Sequence, residues 1–134
     1  MNKTLNLAWP IVATFLIIMG WMPFEGLLWL VTSVGISLAL LWGWVVYRQT
    51  SFLSGLGPLG RTSVFGAIIG LATPLLILGL MVLKTGVHAH GPEYSPAEIA
   101  WITQQITIWP FVGGLAGFGL ASIGRSLRTQ NEQH

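Results

Sequence analysis

With 134 residues, 53% of them hydrophobic and 7% charged, the chain has too few charges to coat a water-soluble globule and is read as a single-domain integral membrane protein over residues 1–134. Six cations and four glutamates leave a net charge of +2 with no basic patch, which excludes nucleic acid as a partner. The absence of cysteine excludes disulfides, thiol catalysis and cysteine-based metal sites.

A charge at the bilayer centre costs roughly 2.5–3.5 kcal/mol on insertion scales, so the stretches between charges mark the spans. Four of them, bounded by Lys3 and Glu25, Glu25 and Arg48, Arg61 and Lys84, and Glu98 and Arg125, each reach the roughly 20 residues a transmembrane helix needs. These place predicted helices at about residues 5–21, 26–47, 62–84 and 96–124. The expected fold class is therefore all-α, with four transmembrane helices in two antiparallel hairpins.

The first predicted helix follows Lys3 in the manner of a signal peptide, but Met19-Gly20-Trp21 offers no small-x-small cleavage site, so it is expected to stay as a span. The turn Met22-Pro23-Phe24-Glu25 is short enough to make the second helix its antiparallel partner. That second helix carries Gly35, Ala39 and Gly43 at intervals of four, a small-x-x-x-small face suited to close helix contact. Residues 48–61, with Gly55, Gly57, Pro58 and Gly60, read as a cytoplasmic loop.

The third helix adds Ser63, Gly66, Ala67 and Gly70 as small residues and should kink at Pro74. Its end is read as an ordinary helix stop, Lys84 in the last turn and Gly86 just beyond. Residues 85–95 form an outer loop, and Ser95-Pro96-Ala97-Glu98 has the pattern of a capping box that opens the fourth helix. The fourth helix carries Gly113, Gly117, Ala121 and Gly124 along one side and should kink at Pro110. Its polar group Thr103, Gln104, Gln105 and Thr107 is expected to pack on the third helix, to line a shallow cavity or to lie among headgroups.

Lys3, Arg48, Arg61, Arg125 and Arg128 fall on one side of this arrangement and Lys84 alone on the other, which predicts that both termini are cytoplasmic. The membrane would be a bacterial inner membrane or one of thylakoid type. Trp9 and Trp44 on the inner side, and Trp21, Trp29 and Trp101 on the outer, read as headgroup anchors.

Within the predicted spans there is no titratable side chain away from an end, and no nucleotide-binding or hydrolase motif occurs. The expectation is a non-enzymatic protein without a cofactor, acting as an accessory, assembly or structural subunit of a larger membrane complex. The alternative is a homo-oligomeric channel or transporter for a small solute, motivated by Pro74, Pro110 and the amides of the fourth helix. Expected partners are the lipid bilayer and other membrane subunits or further copies of the chain. The polar constellation in the outer loop is His88, His90 and Glu93. Two histidines alternating along an extended loop, joined by a carboxylate, form a candidate zinc or copper site; a pH-sensing pair or plain hydrogen-bonded loop residues are the alternatives.

Overall fold

The computed structural model describes residues 7–24, 27–49, 53, 55–88 and 93–131. Among these residues the chain forms four helices: α1 (Ala8–Trp21), α2 (Leu28–Gln49), α3 (Pro58–Val87) and α4 (Pro96–Asn131). Three of them, α2, α3 and α4, are long and apolar enough to cross a membrane. The 14 residues of α1 rise only about 21 Å, short of a hydrocarbon core about 30 Å thick.

Two helices exceed the ranges expected from the charge pattern. α3 starts at Pro58 rather than Thr62, because proline at the first helical position loses no intrahelical bond and Arg61 N–H then bonds Gly57 C=O at 2.9 Å. α4 continues past Gly124 to Asn131; Arg125 and Arg128 are tolerated because a helix end beyond the apolar region can be polar. Pro74 and Pro110 lie inside unbroken helices. Each removes one backbone donor, and Thr73 beside the first returns its hydroxyl to Ile69 C=O at 2.8 Å. Other hydroxyls of the apolar segments make the same return, including Thr14 to Pro10, Thr32 to Leu28 and Ser122 to Phe118, so few polar groups need a partner outside their own helix.

The helices pack in chain order, α1 on α2, α2 on α3 and α3 most extensively on α4. α1 meets α2 through a hydrogen bond from Trp42 Nε1 to Thr14 Oγ1 (2.9 Å) and an edge-on pair of Trp9 with Trp44, 5.6 Å between ring centres. On α2, Gly35 receives the side chain of Ile77 and Gly43 that of Ile69, while Ala39 is buried. Between α3 and α4 the approach is closer still. Gly66 faces the backbone of Gly113, Gly70 that of Trp109 and Pro110, and Gly117 that of Thr62 and Ser63. A β-carbon on any of them would strike main chain, which cannot move aside as a side chain can. Residue numbers rise on α3 as they fall on α4 across these pairs, so the two helices run in opposite directions.

Ala121 is partly buried, whereas Gly119 and Gly124 look onto open space and take no part in this contact. The α4 stripe therefore ends before Gly124. The largest buried cluster lies towards the Lys84 end, where Trp21, Val31, Ile77, Met81, Tyr94 and Ile102 come together from all four helices and the turn before α4.

Candidate functional site

Two regions of the apolar body are built differently from the rest: a polar cluster at the Lys84 end of α3 and a groove at the Arg61 end.

Lys84 occupies the last turn of α3, yet it is fully buried, with 0% of its surface exposed. Lys84 is thus in the last turn as the helix-stop reading expected, but α3 runs on through Gly86 to Val87 and the side chain is interior. Its ammonium donates a hydrogen bond to the Phe24 carbonyl in the turn after α1, lies 3.2 Å from Glu93 Oε2, and sits 5.0 Å from the centre of the Trp21 ring. A buried cation costs several kcal/mol unless its partners replace the lost water. Here a carboxylate, a carbonyl and an indole face do so, and they come from two separate stretches of chain, the end of α1 with its turn and the segment before α4.

His88 terminates α3, its backbone N–H bonding Lys84 C=O at 3.1 Å. Its Nδ1 lies 3.1 Å from the same carbonyl and 3.3 Å from Glu93 Oε1. Both neighbours are acceptors, so the chemistry puts a proton on Nδ1. The Glu93 carboxylate thus spans Lys84 on one oxygen and His88 on the other. Next to it, Tyr94 is buried, and its phenol is pushed up to about 12 first by burial and then by the nearby charges of Glu93 and Glu98. The Tyr94 hydroxyl and the Trp21 indole N–H are buried without a hydrogen-bond partner among the described residues.

Of the proposed metal ligands, the structure brings His88 and Glu93 together, while His90 lies outside the described residues. No group of three His, Asp or Glu side chains arranged to hold a metal ion occurs among the described residues. Trp21, expected at the headgroups, is 2% exposed and belongs to the interior, whereas Trp9, Trp29, Trp44 and Trp101 are exposed.

The start of α4 supports the same end of the molecule. Glu98 Oε2 accepts from Ser95 N–H at 2.7 Å and from the Ser95 hydroxyl at 2.8 Å, and Glu98 N–H donates to Ser95 Oγ at 3.3 Å. This reciprocal capping box engages Glu98 in the cap and sets the angle at which α4 leaves Tyr94.

At the other end of α3, α2 and α4 separate and leave a groove of about 360 Å³ over the α3 glycines. Leu40 and Tyr47 form one wall, Trp109 and Ala116 the other, and Phe65, Ile69 and Gly66 the floor. Thr62 and Thr73 also border it, but both hydroxyls turn back onto their own helix. Of the α4 amides, Gln105 accepts from Trp109 Nε1 at 3.0 Å, and Gln104 is exposed. At the mouth, the Arg61 guanidinium lies 4.8 Å above Tyr47, which itself meets Phe65 edge-on, and Arg48 lies 4.3 Å above Trp44.

Sequence reasoning missed both features. The available signal for the first was a lone lysine on the cation-poor side with Glu93 a few residues away. The groove has no signal in the sequence, since it depends on how far α2 and α4 diverge.

These features define an all-helical protein with membrane-spanning character, organised by glycine contacts and one buried ion pair. Comparison with protein-family models, curated proteins and solved structures finds no match for the chain.

Proposed function

We propose that the protein is a small, non-enzymatic accessory or assembly subunit of a larger membrane complex, crossing the bilayer four times as two antiparallel hairpins with both termini cytoplasmic. The observation that carries this reading is that each helix packs chiefly on its neighbour in the chain, α1 on α2, α2 on α3 and α3 on α4. α4 is held by its glycine stripe, and Phe111, Leu115, Ile123 and Leu127 are exposed. Such an arrangement has helix faces to offer to neighbours, and its ionisable groups with defined geometry, Lys84, Glu93 and His88, tie the chain to itself. Bends at Pro74 and Pro110, each of which deprives a carbonyl one turn earlier of its donor, belong to the same reading.

The rival reading, a homo-oligomeric channel or transporter, needs a polar path, and the apolar walls of the groove favour the subunit reading over it. A zinc or copper site is likewise weakened by the engagement of Glu93 with Lys84. Purification in a mild detergent tests the proposal: a stoichiometric complex with other membrane proteins is expected, and a lone homo-oligomer overturns it. The topology is tested separately by cysteine labelling, which the cysteine-free chain permits without background. Gly55→Cys should be shielded from an impermeant reagent outside the cell and Ala89→Cys should react; the reverse pattern overturns the orientation.

A further inference from the structure

We infer that the face of α4 turned away from α3 pairs with the same face of a second copy of the chain, the two Gln104 amides hydrogen-bonding to each other at the end of an apolar seam. The inference goes beyond the subunit reading and needs no partner complex. It rests on the proposed crossing of the bilayer, which gives every copy the same orientation.

The position of the glycine contact defines this face. Gly113 meets the Gly66 backbone of α3. Gln104 stands about two and a half helical turns before Gly113, which puts it on the opposite side of the helix. From Gln104 the residues Ile108, Phe111, Leu115 and Phe118 follow at steps of four, three, four and three. All five are exposed, Phe111 and Leu115 at 72% each. Alternating steps of four and three are the spacing by which one helix packs lengthwise on another, and α3 engages the glycine side instead.

The apolar residues alone do not choose an occupant, because lipid tails cover Ile, Phe and Leu as well as a helix does. The amide chooses it. Its polar neighbours are satisfied inside α4, since the Thr103 hydroxyl donates to Ile99 C=O at 2.8 Å and Gln105 accepts from Trp109 Nε1 at 3.0 Å. Among the described residues no hydrogen bond engages the Gln104 side chain. With the bilayer centre midway between Glu98 and Arg125, Gln104 lies roughly 11 Å from it, inside a hydrocarbon half-thickness of about 15 Å. An amide that faces tails at this depth has given up water for nothing.

A primary amide carries both donor and acceptor and is therefore complementary to itself. In two copies inserted the same way and related by a twofold axis along the membrane normal, Gln104 meets Gln104 at one depth, each Nε2–H donating to the other's Oε1. A lipid tail offers neither group. One polar residue in an apolar seam also fixes register, which holds Phe111 and Leu115 against their counterparts.

The full chain, expressed alone, is to be reconstituted at low density into phosphatidylcholine vesicles, with single cysteines placed in its cysteine-free background. A short bismaleimide should join Leu115→Cys into a covalent dimer. Leu120→Cys is equally exposed at 72% but turned about 140° round α4 from Leu115, and it should stay monomeric. Energy transfer between copies labelled at Gly55→Cys should show association that Gln104→Leu weakens about tenfold at unchanged helix content. A seam held by apolar packing alone would keep or gain affinity with leucine there. If Gln104→Leu fails to fold, the two crosslinking variants decide. Equal crosslinking at Leu115 and Leu120, transfer no greater than random mixing gives, or undiminished transfer in folded Gln104→Leu would each overturn the inference, the last by showing that headgroups satisfy the amide. Because only this chain is present, failure to find partner proteins in native membranes overturns the subunit proposal and leaves this one standing.

Discussion

The two ends of α3 treat positive charge in opposite ways. At one end Lys84 is drawn wholly inside and surrounded by Glu93, the Phe24 carbonyl and Trp21, and the helices close around it. At the other, half-buried Arg61 and exposed Arg48 lie on the faces of Tyr47 and Trp44 beside the groove between α2 and α4. A buried cation must bring its own counter-charge and so binds distant segments together. A cation nearer the surface keeps part of its hydration and makes a weaker demand of this kind.

The strongest way to break this contrast is to remove the counter-charge. Glu93→Gln leaves Lys84 charged and buried, and stability in detergent should fall by about 3–5 kcal/mol. Arg61→Gln at the opposite end should cost less than about 1 kcal/mol. The double variant Lys84→Met with Glu93→Gln should recover much of the loss, since no uncompensated charge then remains. Thermal unfolding of the four proteins checks this; equal effects of Glu93→Gln and Arg61→Gln would erase the distinction.

Next in size is the glycine contact that joins the two ends. Gly66→Leu and Gly117→Leu place side chains against main chain and should destabilise by about 3 kcal/mol or somewhat more. Gly124→Leu, on open space, should change little. Unfolding midpoints that do not separate Gly117 from Gly124 would show that the stripe is not a packing surface.

A third effect depends on pH. Burial and the neighbouring carboxylates raise the Tyr94 phenol from 10.0 to about 12 in the folded state, so the native protein holds this proton more tightly than the unfolded chain does. The resulting stability is complete below pH 10 and is lost as pH rises towards 12, by an amount of order 2 kcal/mol. Tyr94→Phe should flatten the alkaline limb of the stability profile. An unchanged limb would mean that another group controls it. A smaller loss, about 1 kcal/mol, is expected of Ser95→Ala, which removes one half of the capping box.

Much of this architecture can be read from local pattern. The spacing of Arg48, Arg61, Lys84 and Glu98 marks the long apolar helices, because charge is costly in hydrocarbon wherever the helix goes on to pack. The Ser95–Glu98 cap is equally local, since every atom involved lies within one turn. His88 caps α3 and turns to Lys84 C=O, while His90, its expected companion, lies outside the described residues.

Composition and spacing thus determined, by themselves, that the chain is helical and apolar, which glycines stand in line and where α4 begins. Tertiary structure alone decided that Lys84 is an interior residue, that Gly117 meets main chain while Gly124 meets none, and that α2 and α4 leave a groove between them. The physical reason is one of range. Transfer from water and capping act on a residue and its own helical turn, whereas an ion pair between α3 and the segment before α4, or a gap between helices that are not neighbours in the chain, exists only once separate elements have been placed in space.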